Sequence, residues 1–447
     1  MLTMASDSAT ATVRSERITP RMIYTLVILV LVGIFSFIDR QIITILLEPI
    51  KQDIHLSDTE MGLLTGMAFA AVYLFASFPL ARWTDRSDRR VVLAFCVALW
   101  SLMTAASGFA HVFWQLCAAR AGVAAGEAGA NPVSQSLVAD IFPLHFRAKA
   151  MAALTIGPAL GIFAGLFLGG WLATAWSWRA AFVIVGAPGL VLSAVIWLTI
   201  RDPRAKPTAA TFVDEPSLWT KIAILWRIPT FRLAMIGLGF HSVSGYAWTG
   251  WAPTFLIRVH GMSLTDIGLW LGLSTASGVI LGGVITGAIA DRLGANDPRW
   301  YGWLPWYGTL AACVLAVLFA LTPSPGMSIM LFLPMMAAIA TWGAPTYALA
   351  QYVVDGRSRA LAAAVVGFFS SFLGTGLGPL VVGALNDLLA PHFGQEAIRY
   401  SLLLTLPSLF LGGVFYLAAS RTAKADFAAA ADRRIEEQRQ LSRALQQ

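Results

Sequence analysis

Charge is scarce in this sequence, and that scarcity excludes most soluble architectures. Only 12% of the 447 residues are Asp, Glu, Lys or Arg, whereas 57% are hydrophobic and the mean hydropathy is +0.70. Soluble domains carry about 25% charged residues. The apolar residues recur in long runs along the whole chain, so a single very apolar soluble enzyme does not account for them. The composition predicts an integral membrane protein.

Cysteines and the motifs of common enzymes are also few. Cys96, Cys117 and Cys313 lie apart inside apolar runs, which argues against a disulfide framework and a zinc site. No G-x-x-x-x-G-K-[ST] loop is present, so ATP is not an energy source within this chain. Gly374, Gly376 and Gly378 lack the preceding strand of a dinucleotide site. We find no nucleophile–base pair, and we expect no enzyme, cofactor or metal site.

Twelve apolar stretches are long enough to cross a bilayer as helices. We expect a cytoplasmic tail at 1–20, because this segment lacks the apolar core of a signal peptide. Two six-helix bundles follow at 21–200 and 229–420, joined by a cytoplasmic linker at 201–228 that contains a surface helix. A tail helix occupies 421–447. The predicted spans, helices 1 to 12, cover about 21–48, 58–81, 91–110, 112–141, 147–173, 179–200, 229–257, 264–290, 301–321, 328–354, 359–389 and 397–419.

The basic residues indicate the orientation of these helices. In the twelve-helix arrangement, 25 of the 31 lysines and arginines lie in the tails and the loops after even-numbered helices. Four lie in the opposite loops, namely Lys51, Arg179, Arg258 and Arg399, and Arg40 and Arg120 lie inside spans. This asymmetry places both termini in the cytoplasm. It also explains the net charge of +7 without nucleic acid as a partner.

Short motifs repeat between the two halves. Asp85-Arg86 after helix 2 and Asp291-Arg292 after helix 8 are 206 residues apart, and Arg147 and Arg357 open helices 5 and 11. Duplicated bundles imply a cavity between them and transport by rocking of one half on the other.

These motifs resemble those of the major facilitator superfamily along essentially the whole chain. Ala81–Arg90 is similar to that family's G-x-x-x-D-R-x-G-R-R signature, with Ala81 and Asp88 where glycine is usual. Gly157-Pro158-x-x-Gly161-x-x-x-Gly165 resembles its helix 5 motif, which is often associated with antiporters. The spinster-like branch is suggested by Ile38-Asp39-Arg40, Met61–Leu64, Gly126-Glu127-Ala128 and Ala139–Pro143. The resemblance implies an all-α fold of twelve transmembrane helices in two pseudo-symmetric bundles.

Four charged residues inside the spans are the candidate site. Helix 1 carries Asp39 and Arg40, and helix 4 carries Arg120 and Glu127, which are seven residues apart and share a face. Each charge would cost about 2.5–3.5 kcal/mol in lipid, so all four should face protein or a watery cavity. Arg40 would hold an anionic head group, and Glu127 and Asp39 would accept protons. The helix rise places Asp39 within reach of Arg120, whereas Arg40 reaches Glu127 only by slanting inward. The alternative is a static ion-pair lock between the two helices.

Three further sets of residues are weaker candidates. His241, near the middle of helix 7, is either a titrating group or substrate ligand, or a histidine hydrogen-bonded between helices. The glycines of the helix 5 motif form a small-residue face for close packing, with or without a mechanistic role. The resemblance implies a cytoplasmic latch in which Asp85 meets the N-terminus of helix 11; simple positive-inside topology is the alternative. The expected latch residues are Asp85, Arg86, Arg89, Arg90, Asp291 and Arg292.

The sequence therefore predicts a proton-coupled secondary transporter in a bacterial inner membrane. The spinster resemblance implies alternating access and an amphipathic anion, such as a lysolipid or a sphingoid phosphate. A small soluble organic anion or a drug is the alternative substrate. The duplicated halves weigh against a membrane-embedded enzyme or receptor. We expect the protein to act as a monomer whose partners are its substrate, protons and the bilayer.

Overall fold

A computed structural model describes residues 18–203, 217–355 and 358–446. The described chain is helical and contains no β-strand. Most of the expected N-terminal tail, the linker stretch 204–216 and Arg357 of the second repeat lie outside the described residues.

Twelve helical spans follow one another, as the sequence predicts. They are helix 1 (Pro20–Ile45), helix 2 (Asp58–Thr65 and Met67–Arg86), helix 3 (Arg89–Ser107), helix 4 (Phe113–Ile141), helix 5 (Leu144–Leu154 and Ile156–Ala175), helix 6 (Trp178–Thr199), helix 7 (Pro229–His260), helix 8 (Leu264–Gly294), helix 9 (Trp300–Leu321), helix 10 (Pro325–Ile339 and Gly343–Tyr352), helix 11 (Arg359–Phe368, a π-helical Phe369–Thr375 and Gly376–Phe393) and helix 12 (Ala397–Leu403 and Leu406–Gln446). A loop helix, Leu47–Ile54, and a linker helix, Leu218–Arg227, complete the described chain.

Length and composition alone identify nine spans among the described residues, or ten when the linker helix and helix 7, which meet at 99°, are taken as one. Two features hide the remaining spans, helices 12 and 4, from this test. Helices 11 and 12 run together as one helical stretch, Arg359–Glu436. Helix 4 carries Arg120 and Glu127, which lower its hydropathy. Of the two spans that carry the candidate charges, helix 1 passes the hydropathy test and helix 4 does not.

Local signals set several helix ends. Ser57 and Glu60 form the capping box that the sequence predicts at the start of helix 2. The Asp88 side chain accepts a hydrogen bond from the backbone N–H of Arg90 and caps helix 3. Gly261 ends helix 7 with a φ of 63°, a left-handed conformation that glycine adopts without strain.

The two ends of the bundles pack differently. We call the end with Pro20 of helix 1 and Arg86 of helix 2 the terminal face, and the other end the opposite face. At the opposite face, one hydrophobic core joins both bundles and includes Ile42 of helix 1 and Phe255 of helix 7. Toward the terminal face, each bundle has a separate core. The bundles therefore meet at the opposite face and part toward the terminal face.

Backbone contacts close the opposite face. A Cβ on Gly383 of helix 11 would lie 2.2 Å from the carbonyl oxygen of Asp58, and one on Gly268 of helix 8 would lie 2.4 Å from that of Leu166. Real Cβ atoms do not approach so closely. Glycine at these positions lets helix 11 touch helix 2 and helix 8 touch helix 5.

Helix 12 extends beyond the end that the sequence predicts near residue 419. It continues as one helix through the expected tail helix to Gln446, because its side chains bind the bundle. Asp426 accepts a hydrogen bond from the backbone N–H of Thr230 at the start of helix 7 (2.9 Å). Arg434 donates to the carbonyl oxygens of Tyr352 (2.7 Å) and Val354 (3.1 Å) at the end of helix 10. The tail thus satisfies backbone groups that helix ends leave unpaired.

Candidate functional site

A cavity of about 440 Å³ lies between the bundles. Helices 1, 2, 4 and 5 contribute to one wall, and helices 7, 8, 10 and 11 to the other. Arg40 and Arg120 are the charged residues that line it within the described chain. The remaining lining side chains are apolar, aromatic or neutral polar, among them Phe37, Gln41, Thr44, Phe69, Ile162, Ser242, Tyr246, Thr249, Val279, Met336 and Ile339.

The four charges expected on helices 1 and 4, which we call the charged quartet, come together at this wall. Arg40 Nε donates a hydrogen bond to Glu127 Oε2 and forms an ion pair with it. Arg120 Nη1 donates to the backbone carbonyl oxygen of Asp39 (3.1 Å). Asp39, Arg120 and Glu127 are at most 2% exposed, whereas the Arg40 side chain is 26% exposed. Arg40 is therefore the member that a molecule in the cavity can reach most readily.

Aromatic rings hold the two guanidinium groups in place. The Arg40 guanidinium carbon lies 5.1–5.3 Å from the ring centroids of Phe37, Phe69 and Tyr73. That of Arg120 lies 5.3 Å from the Phe69 ring. Cation–π contacts of this kind stabilise a desolvated guanidinium without using its hydrogen-bond donors.

Several polar atoms of the charged quartet have no hydrogen-bond partner in the described structure. They are Arg40 Nη2, Arg120 Nε, Asp39 Oδ1 and Glu127 Oε1, all buried. An unsatisfied buried polar atom is costly, at about 1–3 kcal/mol. The quartet therefore holds spare donors and acceptors, which a proton or a polar substrate group would satisfy.

The glycines of the helix 5 motif bring helix 1 into place. A Cβ on Gly157, Gly161 or Gly165 would lie 2.6–2.9 Å from a carbonyl oxygen of helix 1. Pro158 packs against Gly33 of helix 1 at the same crossing. The motif thus makes the close contact expected of small residues, and this contact fixes the turn of helix 1 that precedes Asp39.

His241 lies at the edge of the cavity but is fully buried. Its Nε2 lies 2.9 Å from the carbonyl oxygen of Ile339, and its Nδ1 lies 3.2 Å from Thr309 Oγ1. A carbonyl only accepts, so Nε2 carries the hydrogen, and the threonine hydroxyl can donate to Nδ1. Both nitrogens of a neutral ring are satisfied between helices 7, 9 and 10. His241 thus has the geometry of a histidine that is hydrogen-bonded between helices.

The expected latch residues occupy two different environments at the terminal face. Arg89 is buried and binds Asp202 (2.6 Å) and Asp140 (2.7 Å) inside the first bundle, and Arg90 pairs with Asp88 (3.1 Å). The others are exposed and hold no ion pair within the described residues: Asp85, Arg86, Asp291 and Arg292. A latch between the bundles stays a prediction, and it concerns a conformation other than this one.

Two sets of contacts, one at the cavity and one at the opposite face, have no clear signal in the sequence. Phe69 and Tyr73, one helical turn apart on helix 2, contact Arg40. Their spacing was readable, but an aromatic pair on an apolar helix is not distinctive. Arg258 was assigned only to a loop, yet it ends helix 7 and bonds to Glu48 and Asp58 of the first bundle at the opposite face. No local pattern links residues so far apart in the chain.

Comparisons with known proteins agree with the fold. The sequence profile of the Major Facilitator Superfamily matches residues 29–379. The chain is 37% identical over 423 residues to an MFS-type efflux pump of Mycolicibacterium smegmatis, covering 93% of this chain and 97% of that one. It is 26% identical over 438 residues to human protein spinster homolog 1, covering 89% and 80% of the two chains.

The fold matches a solved structure of a bacterial homologue of the human lysosomal transporter spinster, captured inward-facing and unoccupied. The TM-score is 0.83 and the identity 29%, over 92% of this chain and 99% of that one. The same homologue in an inward-facing, occupied state gives a TM-score of 0.80.

Proposed function

The chain belongs to the Major Facilitator Superfamily, and from that premise we propose that it moves an amphipathic anion across a membrane together with protons. It is a spinster-like transporter by sequence and fold. The substrate class and the coupling to protons are the proposal. The observation that carries it is the buried Arg40–Glu127 pair, of which only Arg40 reaches the cavity.

Arg40 is suited to an anionic head group. Its guanidinium is planar and always charged, and it offers paired donors to a phosphate or carboxylate. One of its donors is used by Glu127, and Nη2 has no partner within the described chain. An anion that enters the cavity would therefore compete with Glu127 for the same guanidinium.

That competition couples substrate to protons. A proton on Glu127 removes its charge and releases Arg40, which then needs another counter-ion. An anion bound to Arg40 in turn makes a proton on Glu127 more favourable. Because linkage is reciprocal, protons and the anion each strengthen the binding of the other, and the two travel together.

The rest of the cavity supports an amphipathic molecule. Besides two arginines, its lining is largely apolar and aromatic, including Ile162, Val279, Met336 and Ile339. An acyl or sphingoid tail would contact this surface while the head group binds Arg40. Sites for small organic ligands are generally mostly apolar with a few placed polar groups.

A soluble organic anion or drug is the second candidate. The mycobacterial relative described as an efflux pump favours it. A cationic compound would compete with Arg40 for Glu127, which is already ionised in their ion pair, so its binding would take up no proton. The two candidates thus predict proton uptake when an amphipathic anion binds and none when a cationic drug binds.

Proteoliposomes with a substrate panel and a pH gradient test this proposal. Lysophospholipids, sphingoid phosphates, soluble organic anions and cationic drugs should be compared with the gradient present and collapsed. We expect uptake of an amphipathic anion that depends on the gradient. Calorimetry in two buffers of different ionisation enthalpy should show proton uptake on binding. Transport of a cation, with no proton uptake on binding, would overturn the proposal.

The terminal face is proposed to be cytoplasmic, in an inner membrane, with the protein acting as a monomer. The excess of basic residues on that face supports this orientation. With it, the cavity opens inward. Labelling of single cysteines at exposed loop positions in intact cells tests the orientation.

A further inference from the structure

Helix 2 starts at the opposite face against helix 11, where Asp387 caps it. The carboxylate of Asp387 accepts hydrogen bonds from the backbone N–H groups of Asp58 (3.0 Å) and Thr59 (2.8 Å) and from the Thr59 hydroxyl (2.6 Å). The first N–H groups of a helix have no partner within it, and the positive end of the helix attracts a carboxylate. The cap comes from the other bundle, so it joins the two bundles.

An ion-pair network reinforces this cap. Arg258 at the end of helix 7 donates to both carboxylate oxygens of Asp58 (2.5 and 2.8 Å) and to Glu48 of the loop helix (2.8 Å). Lys51 also bonds to Asp58 (2.6 Å). The Arg258, Glu48 and Asp58 side chains are at most 13% exposed. Salt screens such buried contacts much less than surface pairs.

Helix 2 ends at the terminal face with another acidic residue. Asp85 there is exposed and, within the described part of the chain, holds no ion pair. Helix 11 begins at the same face with Arg359. Each of these two helices thus has an aspartate near its C-terminal end, and each starts at the face where the other ends. One of the two possible caps is made in this structure and the other is not.

We propose that Asp387, supported by Arg258, is the latch that joins helices 2 and 11 and closes the opposite face. When the cavity opens to the opposite face, the Asp387 cap breaks, and the latch that the family resemblance implies between Asp85 and helix 11 would form at the terminal face. This inference rests on the proposed transport and on the rocking of the two bundles that the internal repeat implies.

Gly383 allows the latch to form. It lies one turn before Asp387 on helix 11, and a Cβ there would meet the carbonyl oxygen of Asp58 at 2.2 Å. Alanine at this position would separate helices 2 and 11 without altering any charge. Gly383→Ala therefore weakens the same latch by a second, purely steric route.

Distances between spin labels test the latch without a substrate. In a background without native cysteines, one label pair at Phe109 and Met327, both exposed, reports the opposite face. A second pair at Leu144 and Ala295, also exposed, reports the terminal face. Opening of the opposite face lengthens the first distance and shortens the second.

We expect Asp387→Ala to raise the population with an open opposite face at least about fivefold, because three charge-assisted hydrogen bonds are lost. Gly383→Ala should act in the same direction, and Asp387→Asn should give a smaller shift. Glu396→Ala is the matched control, because Glu396 lies on the same face of the same bundle and pairs only with nearby Arg399 within the described chain. It should leave both distances unchanged.

Unchanged distances in Asp387→Asn and Gly383→Ala would overturn the latch, even if Asp387→Ala failed to fold. That result would leave the proposed transport intact, because transport is measured separately. Conversely, a clear shift in these variants together with no transport of any anion would retain the latch and reject the proposed substrate. The two ideas therefore fail by different measurements.

Discussion

The first and second bundles share a fold but bury different chemistry. Every charged residue that is buried in the described chain belongs to the first bundle: Asp39, Asp58, Arg89, Arg120 and Glu127. The second bundle instead buries His241, whose two nitrogens are satisfied by a hydroxyl and a carbonyl. The comparison indicates that the first bundle holds the ionic chemistry, whereas the second supplies a neutral wall against which a substrate packs.

The largest effect should come from removing the cavity-facing charge. Arg40→Ala removes the guanidinium that would hold the anion, and losing one partner of such a charged contact costs about 2–5 kcal/mol of binding. We expect anion transport to fall at least about 100-fold, since each 1.4 kcal/mol of binding is a factor of about ten. Initial uptake rates in proteoliposomes measure this. Arg40→Lys, which keeps the charge but loses the planar fork, should retain part of the activity. Normal uptake by Arg40→Ala would remove Arg40 from the site.

The second effect concerns pH. Glu127→Gln keeps the shape of the side chain but cannot gain or lose a proton, so substrate transport should lose its pH dependence while binding persists. Uptake measured across about two pH units on either side of neutrality tests this. Gln115→Glu, at the opposite-face end of the same helix, is a useful control for added charge, since it should leave the profile unchanged. A pH profile like that of the native protein would point to another group as the coupler.

A smaller effect is expected from the corresponding polar residue of the second bundle. His241→Leu leaves the carbonyl of Ile339 and the hydroxyl of Thr309 without partners, which costs about 1–3 kcal/mol of stability. The melting temperature in detergent should fall, but the pH dependence of transport should remain. His241→Gln, which can still donate to Ile339, should recover part of the stability. If His241→Leu instead abolished the pH dependence, the contrast between the bundles would be wrong.

The smallest effect should come from an exposed ion pair of the first bundle. Asp53 on the loop helix binds Arg179, whose hydrogen bond holds the pKa of Asp53 below its usual range. Both side chains are at least 30% exposed, so the pair contributes less than about 1 kcal/mol. A lowered carboxyl pKa stabilises the fold above the unfolded pKa, and this stabilisation is lost as pH falls through the folded pKa. Arg179→Gln should therefore lower the melting temperature slightly near neutral pH and not in acid. An effect as large as that of Arg40→Ala would mean that burial is not what distinguishes the charged quartet.

Sequence alone predicted most of the fold because membranes restrict it. Apolar runs, basic loops and the repeated Asp85 and Asp291 motifs each carry a local signal. The charged quartet was equally visible, since Asp39 and Glu127 interrupt apolar runs. Its pairing was only partly predictable: Arg40 does meet Glu127, but Arg120 bonds to the backbone of Asp39 and not to its carboxylate. Rotamers and helix tilt decide such contacts, and neither can be read from spacing.

Contacts between distant helices were not predictable. Asp387 and Arg258 each lie near the end of an apolar span, where a charged residue is ordinary. Both residues bind the start of helix 2, which lies far away in the sequence and comes close to them only in the folded protein. The length of helix 12 was likewise hidden, because its extension depends on backbone groups at the ends of helices 7 and 10 that have no partner within those helices.

The docked tail has a consequence for handling the protein. Arg434 and Asp426 form hydrogen bonds with backbone groups of helices 10 and 7. The residues that follow the last hydrophobic stretch are therefore needed for the stability of the second bundle. Truncation near residue 421 would expose those groups and loosen the second bundle. Affinity tags and fluorescent fusions are best joined after residue 446, and shortened versions should be checked for thermal denaturation before any assay.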